Sequence, residues 1–130
     1  MTKVVGIVLV SHSAELAAGL RELLAQIGGD TVTVVPAGGT EDGRIGTSYE
    51  LVAKAIAQAD GGAGVVVLPD LGSSVLTART VLTDTPRDDV AIVDAPFVEG
   101  AVAAAVTAAG GADLDAVVAA AQEARHVTKF

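Results

Sequence analysis

Apolar and polar positions fall in blocks along this chain. Val4 to Val10 is an unbroken apolar run that stops at Ser11-His12-Ser13. A strand buried on both faces reads this way, as in a parallel sheet. Leu16, Leu20, Leu23, Leu24 and Ile27 then recur at helical spacing and predict one buried face. Ser13 suits the cap of that helix, and Gly28-Gly29 its stop. Thr31 to Val35 reads as a second strand, ended by Pro36. A polar loop with Gly38 and Gly39 runs on through Arg44, Ile45 and Gly46. Thr47-Ser48-Tyr49-Glu50 has the spacing of a capping box. The helix it opens carries Leu51, Val52, Ala55, Ile56 and Ala59 on one face and ends at Asp60-Gly61-Gly62.

Gly64 to Leu68 is a third apolar run, followed by Pro69-Asp70-Leu71-Gly72-Ser73-Ser74. The two serines predict the cap of a helix over Val75 to Leu82. Thr85 to Asp89 is a turn, and Val90 to Val93 is the fourth strand. An alanine-rich helix is expected over Val98 to Ala109, and a last one from the Asp113 cap through Ala124. Strands alternating with helices call for an α/β fold. The expected architecture is a four-stranded parallel sheet, order 2-1-3-4, with helices on both faces, in one domain over residues 1–130.

Composition narrows the chemistry. Half the residues are apolar, yet Tyr49, Phe97 and Phe130 are the only aromatics, so Val, Leu, Ile and Ala must build the core. Sixteen acidic residues against eight Lys and Arg give a net charge of −8. That excludes the basic footprint of a nucleic-acid binder. It suits a partner with a basic face. There is no cysteine, which removes disulfides, thiolate chemistry and Cys-based metal sites. No apolar run has the length of a membrane span, and the start lacks a cleavable signal pattern. A cytoplasmic protein is expected.

In the expected strand order a crevice opens between the carboxyl ends of strands one and three. Those ends carry His12 and Asp70. A carboxylate beside one ring nitrogen fixes the tautomer and leaves the other as a lone-pair nucleophile. Helix starts after Ser13 and Ser74, and the Gly38-Gly39 turn, offer backbone N–H groups to an anion. Gly72 permits close backbone approach, and Ser73 and Ser74 add hydroxyls. The set suits a phosphoryl group carried on histidine. Each member also has a plain structural reading: Asp70 as a turn residue, and the glycines near 38, 46 and 72 as turn formers. His126 lies in the polar tail with no evident partner.

Other chemistries lack their residues. There is no G-x-G-x-x-G after the first strand, no Walker-type lysine loop and no G-x-S-x-G elbow. Metal-ligand spacing is missing. A receiver-like phospho-aspartate domain would put its acceptor at Asp70, but it wants paired acids where this chain has Ser11-His12-Ser13.

Four segments, in order, carry a resemblance to a known family: Gly6 to Ser13, Ile45-Gly46-Thr47, Leu68 to Ser74, and Ala95-Pro96-Phe97-Val98-Glu99-Gly100. The sequence resembles the enzyme IIA domains of the mannose family of the bacterial phosphoenolpyruvate-dependent phosphotransferase system. Within it, the sequence is most similar to the phosphotransfer subunits of dihydroxyacetone kinase. The resemblance implies that His12 is the phosphoryl acceptor, modified on the ring nitrogen remote from the backbone, and that Asp70 orients the imidazole. It implies that Gly38, Gly39, Gly46, Thr47, Gly72 and Ser73 form the rim that holds the phosphoryl group. It further implies a homodimer, the carrier protein HPr as donor, and ADP on a nucleotide-binding kinase subunit as acceptor. The ATP formed then phosphorylates dihydroxyacetone on a third subunit, with no metal or cofactor on this chain. Neither fused HPr-like and enzyme I-like domains nor a linker to a IIB domain follows, so separate HPr and the kinase branch are expected. An enzyme IIA component of a sugar permease and a phosphorylation-regulated signalling module are the alternatives.

Overall fold

The computed structural model describes residues 3–130. Along the chain, β1 (Gly6–Ser11) leads to α1 (Ala14–Gly28), β2 (Val34–Gly38), α2 (Tyr49–Ala59) and β3 (Val65–Pro69). Then follow α3 (Gly72–Asp84), β4 (Val90–Ile92), α4 (Phe97–Ala109) and α5 (Leu114–Glu123). Short 3-10 turns stand at Gly29–Thr31 and Ala124–His126. All strand pairs are parallel and the order is β2-β1-β3-β4, as the sequence pattern predicts.

All of β1 is buried, because helices cover both its faces. The two-residue period of a strand divides its side chains between two cores. Val5, Ile7 and Leu9 meet Leu20 and Leu24 of α1 and the alanine face of α4. Val8 and Val10 meet Val52, Ala55 and Ile56 of α2 and Ala78 and Val81 of α3. Each fully buried Val, Leu or Ile contributes roughly 1.5–3 kcal/mol. Ala101, Ala104, Ala105 and Ala108 are fully buried, and these small side chains let α4 lie close to the sheet and to α5. No helix among the described residues is long and apolar enough to cross a membrane.

Three expectations from the pattern are corrected. The second strand runs over Val34–Gly38, not Thr31–Val35, so Pro36 lies inside it. The N–H of Gly39 reaches Ser11 O, and Ile7 N–H reaches Thr33 O. Alternation then turns the nitrogen of Pro36 toward the open edge of the sheet, where a missing donor costs nothing. Second, α3 starts at Gly72 with Leu71 as its N-cap, so Ser73 and Ser74 lie in its first turn instead of capping it. Third, α1 buries Ala17, Leu20 and Leu24. Leu16, Leu23 and Ile27 remain 46%, 44% and 42% exposed. They form a flanking stripe roughly 70° round the helix from the buried one.

Candidate functional site

His12 follows the last residue of β1 directly, and Asp70 follows the last residue of β3. These strands are neighbours, with Val10 opposite Pro69. The N–H of Asp70 donates to Val10 O at 2.9 Å, which carries the ladder one step past the strand. Parallel pairing therefore brings two residues 58 positions apart into contact.

The contact is detailed. His12 Nδ1 lies 2.9 Å from Asp70 Oδ1. The backbone N–H of His12 donates to Asp70 Oδ2 at 3.0 Å. Ser11 Oγ donates to Oδ2 at 2.9 Å, and Ser74 Oγ donates to Oδ1 at 2.6 Å. The N–H of Leu71 also reaches Oδ1, at 2.7 Å. The Asp70 side chain is 9% exposed and that of His12 is 23% exposed. Burial works against the Asp70 charge, but hydrogen bonds from Ser74, the His12 backbone and ring, and Ser11 outweigh it. They hold the carboxyl well below the usual carboxylate range. An ionised Asp70 accepts only, so the Nδ1 nitrogen of His12 carries the proton. Nε2 is left with its lone pair, facing outward beside Ser73 Oγ.

Ser73 and Ser74 share the first turn of α3, yet they serve opposite nitrogens of one ring. The first-turn N–H groups of a helix have no partner within it, and the helix dipole favours an anion there. Gly72 and Ser73 are the first residues of α3, and the Ser73 hydroxyl lies beside Nε2. A hydroxyl, free N–H groups and an oriented imidazole together suit a phosphoryl group on Nε2.

The glycines of the 38–46 loop support the backbone around His12. Gly39 N–H donates to Ser11 O and Gly46 N–H to His12 O. Both donors are thereby engaged by the backbone of the Ser11-His12 segment. Gly38 is there for space: a Cβ on it would stand 2.5 Å from Ser13 O and 2.9 Å from Ala17 Cβ. Gly46 has φ +147°, a conformation open to glycine. Thr47 is not the cap of α2. Ser48 takes that place, accepting from Leu51 N–H at 3.2 Å. The hydroxyl of Thr47 instead meets that of Thr77 on α3 at 2.8 Å, tying the loop to the site helix. His126 stands in the final 3-10 turn, against a groove lined by Val98, Val102 and Val127, and is not part of the His12 cluster.

Residue-level reading of the sequence missed two partners of Asp70. Ser11 and Ser74 are both fully buried polar side chains. A signal existed: Ser74 stands four residues after Asp70, one helical turn onward. A cavity of about 240 Å³ also adjoins Asp70, with Val75, Arg79, Ile92 and Asp94 on its walls. Arg79 brings a positive group beside the site of an acidic chain.

The profile of the EIIA-man family, described as the PTS system fructose IIA component, matches residues 6–118. The chain belongs to this family. Among the similar proteins is a phosphoryl donor subunit, DhaM, of PEP-dependent dihydroxyacetone kinase 2 from Listeria innocua, 43% identical over 105 residues. That alignment covers 78% of this chain and 84% of the relative. The DhaM of Escherichia coli K12 is 38% identical over 120 residues, which is 88% of this chain but 25% of that protein. A crystal structure of a protein of unknown function matches with a TM-score of 0.83 at 35% identity, covering 95% of each chain. A sigma-54 interaction domain protein from Enterococcus faecalis, at 16% identity and TM-score 0.66, shares the fold. The EIIA-man match spans both His12 and Asp70.

Proposed function

We propose that this chain is the phosphoryl donor subunit of a PEP-dependent dihydroxyacetone kinase, working in the cytoplasm as a homodimer. The observation that carries the reading is the His12 ring held through Nδ1 by Asp70 at 2.9 Å, with Nε2 turned to the Ser73 hydroxyl at the start of α3. Identities of 34–43% to DhaM subunits support the kinase branch.

In this reading His12 Nε2 attacks the phosphorus of phosphohistidine on HPr. A Nε2–P bond forms on His12 as the N–P bond on HPr breaks, its electron pair returning to the HPr imidazole. The Nδ1 proton stays against Asp70 Oδ1, whose charge stabilises the positive ring. The Ser73 hydroxyl turns from Nε2 to a phosphoryl oxygen, joined by the N–H groups of Gly72 and Ser73. Gly38, Gly39 and Gly46 shape the loop behind His12, and Thr47 locks it to α3. Onward transfer reverses the roles. A β-phosphate oxygen of ADP on the nucleotide-binding subunit attacks phosphorus, the Nε2–P bond breaks, and the pair returns to Nε2. The ATP so made phosphorylates dihydroxyacetone on the third subunit. The exposed apolar stripe of Leu16, Leu23 and Ile27 supports a second copy packing on α1.

The test is reconstitution with phosphoenolpyruvate, enzyme I, HPr, both kinase subunits, ADP and dihydroxyacetone. Dihydroxyacetone phosphate should form with the wild-type chain and not with His12→Ala. Phosphate passing to a sugar permease IIB protein instead would assign the chain to sugar uptake. A phosphoprotein that stays loaded beside the kinase subunits and ADP would make it a signalling module. Asp70 as phosphoacceptor is disfavoured by its enclosure among five donors.

A further inference from the structure

Ser74 has a hydroxyl with one proton and no capping duty, since Leu71 is the N-cap of α3. The side chain is fully buried. Its proton goes to Asp70 Oδ1 at 2.6 Å, the same oxygen that holds His12 Nδ1 at 2.9 Å. Ser74 Oγ also lies 3.3 Å from Nδ1. Leu71 N–H is the third donor on that oxygen, while Ser11 occupies the other one with the His12 backbone. The carboxylate's charge is thus divided, and the imidazole receives a share of it.

We infer that Ser74 is a positioning residue that sets how readily His12 gives up its phosphoryl group, by sharing Asp70 Oδ1 with the imidazole. This rests on the phosphohistidine reading above. The Nδ1–H bond to Asp70 pushes electron density into the ring. A stronger bond makes Nε2 a better nucleophile and a poorer leaving group. Ser74 moderates that push by competing for the acceptor. Removing its hydroxyl concentrates the Oδ1 charge on Nδ1–H, so accepting a phosphoryl group becomes easier and donating it harder. Such balance matters to a carrier, which must do both with the same nitrogen. Loss of one hydrogen bond to a charged group is enough to move the balance by about threefold to tenfold.

The experiment uses the full chain as wild type, Ser74→Ala, Ser74→Thr and Ser11→Ala, each checked by thermal melting. Phosphorylated HPr is the probe. Ser74→Ala should shift the phosphoryl equilibrium toward phospho-His12 by about threefold to tenfold, with donation back to HPr slowed by a similar factor. Ser74→Thr keeps the hydroxyl and should restore the wild-type equilibrium. Ser11→Ala is a second perturbation of the same carboxylate: it frees Oδ2 of one donor and should move the equilibrium the same way by less. In the unphosphorylated proteins, the proton resonance of His12 Nδ1–H should move downfield in Ser74→Ala. An unchanged equilibrium, or forward and reverse rates falling together, would overturn the inference. An unmoved Nδ1–H resonance would also do so, and this readout needs no phosphate. Failure of the wild-type chain to accept phosphate would instead remove the functional reading while leaving the resonance test intact.

Discussion

One carboxylate grips His12 at two points: Asp70 Oδ2 takes the backbone N–H at 3.0 Å and Oδ1 takes ring Nδ1 at 2.9 Å. The residue's main chain and its imidazole are therefore referenced to the same group. The ring has little freedom to turn, and Nε2 is presented in one direction. In the proposed transfer, such pre-organisation lowers the cost of reaching the reactive geometry.

Substitution of His12 should separate chemistry from folding. The His12 side chain is partly exposed, and four other donors still satisfy Asp70 when it is gone. His12→Ala should melt close to wild type while incorporating no phosphate from phosphorylated HPr. Phosphate gel analysis beside a thermal melt checks both halves.

Asp70→Asn should harm both transfer and stability. An amide NH2 group cannot accept, yet five donors converge on this side chain. At least one buried donor is left unpaired, at roughly 1–3 kcal/mol. Transfer should fall about a hundredfold or more, because the positive ring loses its counter-charge. Denaturant melts and quench-flow phosphorylation measure the two effects separately. Wild-type transfer in a folded Asp70→Asn protein would remove Asp70 from the mechanism.

The same carboxylate predicts an acid limb in stability. Its folded-state pKa lies below the ordinary value of 3.8. Its stabilising contribution is therefore full above that ordinary value, and is lost as pH falls below it toward the folded-state pKa. Wild type should lose stability below about pH 4, and Asp70→Asn should show a shallower decline. Unfolding free energies at a series of acid pH values test the difference in slope.

Gly38 predicts a steric coupling between fold and site. A Cβ there meets Ser13 O at 2.5 Å and Ala14 Cα at 2.8 Å, both backbone atoms at the start of α1. Gly38→Ala should cost roughly 1–3 kcal/mol by overpacking. It should also slow phosphorylation, because the displaced segment carries His12. Gly19→Ala, where a Cβ meets nothing within 4 Å, is the matched control for space.

Partner docking makes a last prediction. Ile45 is 75% exposed and adjoins Gly46, whose N–H donates to His12 O; Leu71 is 64% exposed and its own N–H donates to Asp70 Oδ1. Ile45→Asp with Leu71→Asp should slow transfer from HPr about tenfold. Chemical phosphorylation by phosphoramidate, which needs no docking, should stay at the wild-type rate. Equal loss with both donors would place the defect in the site itself.

Strand identity was legible because buried parallel strands are written as continuous apolar runs, as at Val4 to Val10 and Gly64 to Leu68. The meeting of His12 and Asp70 was legible because the common doubly wound order sets strands one and three side by side. The edge strand was misplaced because Pro36 reads locally as a breaker, and the direction its nitrogen faces depends on the neighbouring strand. In α1, spacing defines an apolar face, but packing against the sheet selects which part of it is covered.

Sequence alone thus determined the layered parallel fold, the order of its strands and the histidine and aspartate at the ends of β1 and β3. The strands and helices follow from local periodicity, and the order follows from the one common to doubly wound sheets. Tertiary structure decided the duties of the hydroxyls and loops. Ser74 serves Asp70 and not the helix cap; Thr47 serves Thr77 and not the capping box; Gly39 and Gly46 serve the carbonyls of Ser11 and His12. A hydroxyl or an amide bonds whatever partner folding brings within 3 Å or so. At this site those partners come from other strands and loops, so spacing along the chain could not name them.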